Sequence, residues 1–303
     1  MIRDILRFNA AAEAVMESAG DLTVDALVGE LGLGMRFRNH FLLPICGAIW
    51  STPTRRIGDF PAQALVRFMR NHALMSKGGQ HQWWTVSGGS VAYVQRLVAE
   101  LGLRGVALRP GTPVKSVARA GGGVTVAVNG GLPQRYDHVV FASHTDQTLA
   151  MLSDATADER KALGAIRFEP NRATLHHDPA VMPKRRRCWS SWVYRGSAAD
   201  AADKTVSVTY WMNRLQNITS EDPLFATLNV GAAIPDEAIY DEVTFHHPVF
   251  DRKALDAQAA IAAMQGRRGT WFAGAWLRNG FHEDGFASAV RVARGLLPQR
   301  VAP

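Results

Sequence analysis

The first eighty residues carry the periodicity of amphipathic helices. Apolar side chains recur at intervals of three and four in three segments, residues 2–13, 22–34 and 60–74. This spacing places them on one face of each helix, where they can pack against a core. The almost wholly apolar segment 35–51 predicts a helix that is buried on most sides. Asp59 and Pro61 predict the cap and first turn of the helix over 60–74.

Strand patterns begin after Gln82. WWTV (83–86) and VALR (106–109) predict short strands on either side of an amphipathic helix over 91–101, and residues 113–120 and 124–130 predict a hairpin. YDHVVFA (136–142) has a continuous apolar centre, which is typical of a strand covered on both faces. Three alternating segments, 188–194, 205–213 and 225–230, predict a mixed sheet. A helix over 251–264 then leads to the strand TWFAG.

Composition excludes several classes of protein. The chain has 303 residues, 47% hydrophobic and 20% charged, which is enough for one large or two modest domains. Its longest apolar run, Phe41–Trp50, is shorter than the roughly 20 residues of a membrane span. The N-terminus does not have the pattern of a signal peptide. Cys46 and Cys188 have no partner at ligand spacing, which favours a reducing, cytoplasmic location.

The net charge of +7 is spread along the chain, with one dense run at 184–187 (KRRR). A solvated basic face is the default interpretation, and peripheral contact with an anionic membrane is the alternative. No nucleic-acid-binding signature accompanies the run, so we expect no nucleic-acid partner. The sequence leaves open whether the chain forms a homo-oligomer.

The segment GTWFAGAWLRNGFHEDGF (269–286) is the most distinctive part of the chain. It predicts a buried strand, a glycine-bearing loop and a helix that opens at Asp284. Gly274 allows close approach of a ligand, and the amides near Gly285 and Phe286 are predicted to point outward at the positive end of the helix. An electron-rich group fits that position. The alternative is a plain strand–helix packing unit.

Other chemistries have weak support. The histidine-containing clusters 176–177, 246–247 and 282–284 lack HxH or HxxxH spacing, so we expect no metal site. Ser90 and Ser143 do not lie in GxSxG, which argues against a serine hydrolase. The tryptophans are expected in the core or lining an apolar pocket that suits a lipid chain.

The chain resembles the flavin-containing amine-oxidase superfamily. It is most similar to a bacterial branch of predicted FAD/NAD-binding proteins, often encoded beside cyclopropane-fatty-acyl-phospholipid synthases. The motifs that carry the resemblance are LLPICGAIWSTP, DFPAQALVRFMRNHAL, TVSGGSVAYVQRL, VVFASHTDQTLAML, VTYWMNRLQN, HPVFD and FAGAWLRNGFHEDG. They cover nearly the whole chain and are specific in combination.

The resemblance implies an α/β fold of mixed α+β elements: an incomplete FAD-binding Rossmann-like domain with an inserted substrate domain of helices and a mixed β-sheet. Residues 83–164 and 251–303 would form the FAD-binding domain. Residues 1–82 and 165–250 would form the helical and sheet parts of the substrate domain. The family's GxGxxG unit is missing from this sequence. We expect it to precede Met1, so the chain is interpreted as truncated.

The resemblance also implies site residues. The implied FAD-contacting residues are Gly88, Gly89, Ser90, Val114, Gly274, Ala275, Gly285 and Phe286. Trp50, His144 and His282 are candidates for the substrate cavity, and no catalytic residue is assigned.

The implied function is an FAD-dependent oxidoreductase of amine-oxidase type, with a small molecule or a lipid acyl chain as substrate. Two alternatives remain open. One is a truncated, non-catalytic remnant that cannot hold FAD alone, and the other is a peripheral lipid-binding module.

Overall fold

Helices predominate up to Leu103, and strands and helices are interspersed from Val114 onwards, in the computed structural model, which describes residues 1–18, 22–50, 54–75, 82, 84–195, 207–231 and 233–297. The helices are α1 (Ile2–Ser18), α2 (Val24–Glu30), α3 (Met35–Phe37), α4 (Leu43–Trp50), α5 (Thr54–Ile57), α6 (Ala62–Asn71), α7 (Ser90–Leu103), α8 (Thr145–Met151), α9 (Ala157–Gly164), α10 (Met212–Leu215), α11 (Arg252–Met264) and α12 (His282–Leu296). The strands are β1 (Val114–Ala120), β2 (Gly123–Val128), β3 (Gln134–Tyr136), β4 (Val139–Phe141), β5 (Phe168–His176), β6 (Trp192–Arg195), β7 (Ser207–Trp211), β8 (Phe225–Leu228), β9 (Ile239–Pro248) and β10 (Thr270–Phe272).

The chain divides into two compact units. The first comprises Met1–Leu108 and Glu169–His247, and the second comprises Arg109–Phe168 and Pro248–Pro303. The segment 83–108, which the sequence groups with 109–164, therefore lies in the first unit. The assignment of the units to cofactor and substrate binding stays a prediction.

Helices α1–α6 surround an apolar core in the first unit. α6 buries Ala62, Leu65, Val66 and Met69, which recur at the spacing of one helical face. The predicted cap at Asp59 is wrong, because Pro61 is the residue that precedes the helix. The long helix predicted over 35–51 is interrupted by a π-helical turn at Arg38–Leu42, which joins α3 to α4.

Five strands form the sheet of the first unit, in the order β6-β7-β8-β5-β9. The pairs β6–β7, β7–β8 and β8–β5 are antiparallel. Residues alternate between the two faces of such a sheet. One face carries Thr209, Thr227 and His176, and the other carries Trp192, Tyr194 and Tyr210.

His176 is fully buried in this sheet. The Asp178 N–H donates to its Nδ1 at 3.2 Å, and its Nε2 lies 2.8 Å from Thr227 Oγ1. Because Nδ1 accepts a hydrogen bond, Nε2 carries the proton and donates to Thr227. Burial lowers the pKa of this imidazole below its ordinary value, so the ring is held neutral.

The described part of the second unit combines two small sheets with four α-helices. β1, β2 and β3 form an antiparallel meander, which confirms the predicted hairpin, and β10 pairs with β4 in parallel. Phe141 and Phe272 on this parallel pair are buried with Leu163 and Ile261 of the covering helices. Val140, which precedes Phe141 and points to the opposite face of β4, is 42% exposed, so the prediction that β4 is covered on both faces is wrong.

A buried ion-pair network ties β1 to α9 in the second unit. The Arg119 side chain is 1% exposed and pairs with Glu159, which is 6% exposed, and with Asp154 at 3.0 Å. Burial raises the pKa of Glu159, but its hydrogen bonds to Arg119 and to the Thr156 N–H, together with the Arg119 charge, outweigh that effect and lower the pKa from 4.5 to about 2. Arg268 joins the network through a 2.7 Å contact with Asp154.

The edge of β10 away from β4 is covered by a side chain. Gln265 accepts from the Phe272 N–H and donates to the Phe272 carbonyl, both at 2.8 Å. Its amide thus replaces the hydrogen bonds that a neighbouring strand provides, and it leaves this edge less open to pairing with another chain.

Two predicted strands do not form. Residues 84–86 and 106–109 have no strand partner, while Trp83 lies outside the described residues. A strand is stabilised only when a neighbour completes its ladder, and neither segment has one. α7, which lies between them, buries none of its side chains; Val91, Leu97 and Leu103 are all more than half exposed.

Among the described helices, none is both long and apolar enough to cross a membrane.

Candidate functional site

The loop after β10 packs closely against α12. The Gly274 N–H donates to Ser288 Oγ at 2.9 Å, and Ser288 Oγ donates to the Gly285 carbonyl at 2.6 Å. A Cβ on Gly274 would lie 2.3 Å from Trp276 Nε1, so no side chain fits there. A Cβ on Gly285 would lie 3.7 Å from Ala275 N, an ordinary contact. We call Gly274, Ala275 and Gly285 the glycine junction.

The start of α12 differs from the sequence prediction. The helix begins at His282 rather than Asp284, because Asp284 Oδ2 accepts from the Asn279 N–H at 3.2 Å and the Phe281 N–H at 3.1 Å and caps the first turn. The Gly285 N–H consequently donates to the Phe281 carbonyl at 3.1 Å. The prediction that the Gly285 amide points outward as a free donor is wrong.

Ala275 supplies a different donor at the glycine junction. Its N–H has no hydrogen-bond partner within the described part of the chain, and its residue is only half-buried. Gly285 has no side chain to cover it. The Ala275 N–H can therefore donate a hydrogen bond to an oxygen atom of a bound ligand. Phe286, the residue after Gly285, is 67% exposed.

The loop that contains His144 lies next to the glycine junction. Trp276 Nε1 donates to the Ser143 carbonyl at 3.2 Å, and the Ala273 N–H donates to the Phe141 carbonyl at 2.9 Å. His144 precedes α8 and stacks on Phe168, with ring centroids 4.0 Å apart. These two hydrogen bonds hold the loop before α8 beside the loop after β10, and the role of His144 as a cavity residue stays a prediction.

The other predicted residues of the second unit are exposed. Val114 begins β1 at a register shift in its pairing with β2 and is 36% exposed. His282 is the exposed first residue of α12. Arg278 Nε lies 3.7 Å from Asp284 Oδ1 and partly neutralises the buried carboxylate beside it.

In the first unit, Gly88 and Gly89 form the turn that starts α7. Their φ angles are 83° and 77°, values that glycine adopts readily. Gly89 caps α7 without a side-chain hydrogen bond, and Ser90 is the exposed first residue of the helix. The start of α7 therefore has no side-chain cap, and the positive end of the helix faces solvent.

Trp50 is a core residue of the helical block. It is 8% exposed, and its ring lies 5.2 Å from that of Phe68 and 6.2 Å from that of Phe60. Little of its surface is left for a ligand.

Sequence reasoning missed an aromatic wall on the sheet of the first unit. Trp192, Tyr194 and Tyr210 share one face with the buried Val208, which clusters with Ala48 of α4. Burial raises the pKa of both tyrosines, so their phenols stay protonated at neutral pH. The segments 188–194 and 205–213 signalled strands but not which residues would share a face, since that depends on register.

The histidine pairs do not gather metal ligands. In the described ranges, no three His, Cys, Asp or Glu side chains come together as a metal site. The basic run 184–187 is exposed, and the Arg186 guanidinium lies 5.2 Å from the centre of the Trp189 ring.

Comparisons with known proteins agree with this architecture. The model of the family described as flavin containing amine oxidoreductase matches residues 17–171, just over half of the chain. No curated protein matches significantly. Among solved structures, a CLA-producing fatty acid isomerase from P. acnes has a TM-score of 0.64 and 15% identity, over 98% of this chain and 74% of its own.

Two oxidases are also similar. Putrescine oxidase bound to putrescine has a TM-score of 0.64 and 14% identity, over 93% of this chain and 69% of its own. Cyclohexylamine oxidase from Brevibacterium oxydans has a TM-score of 0.55 and 14% identity, over 92% and 69%. Such low identities show a shared fold alone.

Proposed function

Because the chain belongs to the flavin containing amine oxidoreductase family, we propose that it is an FAD-dependent oxidoreductase. Bound FAD would supply a two-electron acceptor: loss of a hydride from a C–H group and of a proton from the adjacent nitrogen or carbon would leave a C=N or C=C bond in the product. The observation that carries the proposal is the Ala275 N–H at the glycine junction, which has no hydrogen-bond partner among the described residues.

The glycine junction fits a flavin nucleotide. It offers a backbone donor that no group in the described part of the chain uses, next to a glycine that has no side chain to fill the space beside it. A phosphate, ribityl or pyrimidine oxygen is an acceptor that such a donor satisfies. In this proposal the junction orients the cofactor, together with Phe286 and with Val114 at the start of β1.

Gly88, Gly89 and Ser90 are proposed as a second contact with the cofactor. The Gly89 N–H donates to the Val86 carbonyl at 2.9 Å, so the donors proposed for the cofactor are the other backbone N–H groups at the start of α7, where no side chain caps the helix. Backbone amides at a helix start favour negative charge, and a pyrophosphate carries it. Their role is to bind the nucleotide, and no proton transfer is assigned to them.

An apolar substrate suits the aromatic wall. Trp192, Tyr194 and Tyr210 present ring surface with phenols that stay neutral. We propose a lipid acyl chain as the favoured substrate class and an apolar amine as the second. His144 and His282 are proposed on the substrate side, while the packing of Trp50 favours a structural role for it.

The test measures FAD binding by the full chain and by two glycine variants. The purified chain is expected to be yellow, or to quench the fluorescence of added FAD on binding. Gly285→Ala places a methyl group 3.7 Å from Ala275 N, an ordinary contact without a clash, where it should limit access to that N–H. We expect FAD affinity to fall about tenfold, because one hydrogen bond to the cofactor is lost. Alanine has a higher helix propensity than glycine, so the free energy of unfolding should rise by up to about 1 kcal/mol.

Gly29→Ala in α2 is the matched control, because a Cβ there meets nothing within 4 Å. It should stabilise the fold to a similar degree and leave FAD affinity unchanged. A folded, colourless chain that binds no added FAD would contradict the proposal and favour a non-catalytic remnant or a lipid-binding module. Equal weakening by both variants would exclude the glycine junction as the contact.

A further inference from the structure

A groove runs between α9 and α11 in the second unit. This open groove has a volume of about 690 Å³, within the range of small-molecule sites. None of its lining residues is among the candidate flavin contacts. Its floor comes from Ala162 and Ala165 on the α9 side and from Ala257, Ala260 and Met264 on α11.

Short side chains explain why this space is open. The lining positions recur at helical spacing on both helices, so each helix turns one stripe towards the groove. Larger residues at these positions would fill the gap, as close packing of helices normally requires. Ala260 and Ala263 are exposed, so the floor is an apolar surface in contact with water.

The rim of the groove carries an excess of positive charge. Lys161, Lys253 and Arg267 line it and have no ion-pair partner in the described part of the chain. Of the two acids on the rim, Asp256 is paired with Arg252 at 3.4 Å, and Asp158 has no ion-pair partner among the described residues. An apolar floor below three unpaired cations is complementary to an amphiphile with an acidic head group.

We propose that this groove is a binding site for a single-chain anionic amphiphile. The alkyl chain lies on the alanine floor, and a carboxylate or phosphate head is held by Lys161, Lys253 and Arg267. The site is separate from the flavin-binding residues, so the inference does not depend on the proposed function.

Calorimetric titration of the full chain with dodecanoate and dodecyl phosphate tests the site. Binding is expected with at least one of them, and the tighter head group distinguishes a fatty acid from a phosphorylated lipid. Dodecyl maltoside, which is neutral, should bind at least tenfold more weakly. Shortening the alkyl chain should weaken binding about fourfold per methylene, as the burial of apolar surface requires.

Paired variants localise the site. Ala260→Phe fills the groove from an exposed position and should weaken binding at least tenfold. Ala259→Phe, on the same helix but outside the groove, should leave binding unchanged. Lys253→Gln should weaken binding of the acidic probes several-fold and reduce its salt dependence, while Arg294→Gln on α12 should have no effect.

Three results would overturn the proposal. If dodecyl maltoside bound as tightly as the acidic probes, the positive charges on the rim would have no role in binding. Equal effects of Ala259→Phe and Ala260→Phe, with both variants folded by circular dichroism, would place binding elsewhere. Adsorption to vesicles of anionic phospholipid without binding of either acidic probe would make this face a membrane contact instead.

Discussion

Replacing Glu159 by Gln is expected to destabilise the second unit strongly. The variant removes the negative charge opposite the Arg119 guanidinium, whose side chain is 1% exposed. Gln keeps an acceptor for the Thr156 N–H, so the change is mainly one of charge. The lowering of the Glu159 pKa from 4.5 to about 2 corresponds to about 3 kcal/mol of the free energy of unfolding. Breaking a buried pair by removing one partner has a similar cost, about 3–5 kcal/mol.

The lowered pKa of Glu159 also determines how its contribution to stability changes with pH. The folded state lowers the pKa of Glu159, so the unfolded state binds its proton more readily. The ionised carboxylate therefore contributes its full stabilisation above about pH 4.5 and loses it as the pH falls towards 2. The difference between wild type and Glu159→Gln should be about 3 kcal/mol at neutral pH and should shrink towards zero at low pH. Other carboxylates titrate in both proteins and cancel in this difference.

Urea unfolding followed by circular dichroism across this pH range measures the effect. Glu100→Gln is the control, because Glu100 pairs with Arg104 at 2.6 Å on a surface where their side chains are 53% and 72% exposed. Such a pair contributes at most about 1 kcal/mol. The reasoning is refuted if Glu159→Gln costs no more than Glu100→Gln, or if its cost persists undiminished at low pH.

Two further predictions concern Gln265 and His176. Gln265→Ala removes both hydrogen bonds to the Phe272 backbone, so the free energy of unfolding should fall by about 2 kcal/mol in urea titration and aggregation by light scattering should rise; unchanged values would contradict a protective role. The wild type should lose stability as the pH falls below 6.5, because its neutral imidazole takes up a proton on unfolding. His176→Gln should abolish that part of the pH dependence in thermal unfolding, and an identical slope in both proteins would contradict burial as the cause.

Local signals in the sequence predicted the elements that local interactions stabilise. The hairpin β1–β2 alternates apolar residues across a glycine turn, and α11 begins where Asp251 accepts from the Ala254 N–H at 3.0 Å. The segments 84–86 and 106–109 carry strand-like residues too. A strand, however, is completed by a partner elsewhere in the chain, which the composition of the segment does not reveal.

The chemistry of the side chains at the site depends on strand register and helix capping, which are harder to predict from the sequence than the helices and strands themselves. The aromatic wall forms because Trp192 pairs with Tyr210, a relation between two strands joined by a long segment. The shift in the start of α12 has a single cause, the two hydrogen bonds that Asp284 accepts. Each is a specific contact rather than a periodic pattern, so periodicity could locate these elements without assigning their donors and faces.

That shift changes what Gly285 contributes to cofactor binding. If its own N–H were the donor to FAD, Gly285→Ala would keep that donor and leave affinity intact. In the structure this N–H is committed to the Phe281 carbonyl, and the available donor belongs to Ala275. A methyl group at position 285 would cover that donor, so the same variant should lose affinity while its helix gains stability. A loss of FAD affinity together with a gain in the free energy of unfolding would show that Gly285 aids binding because it has no side chain, and not because its own N–H donates to FAD.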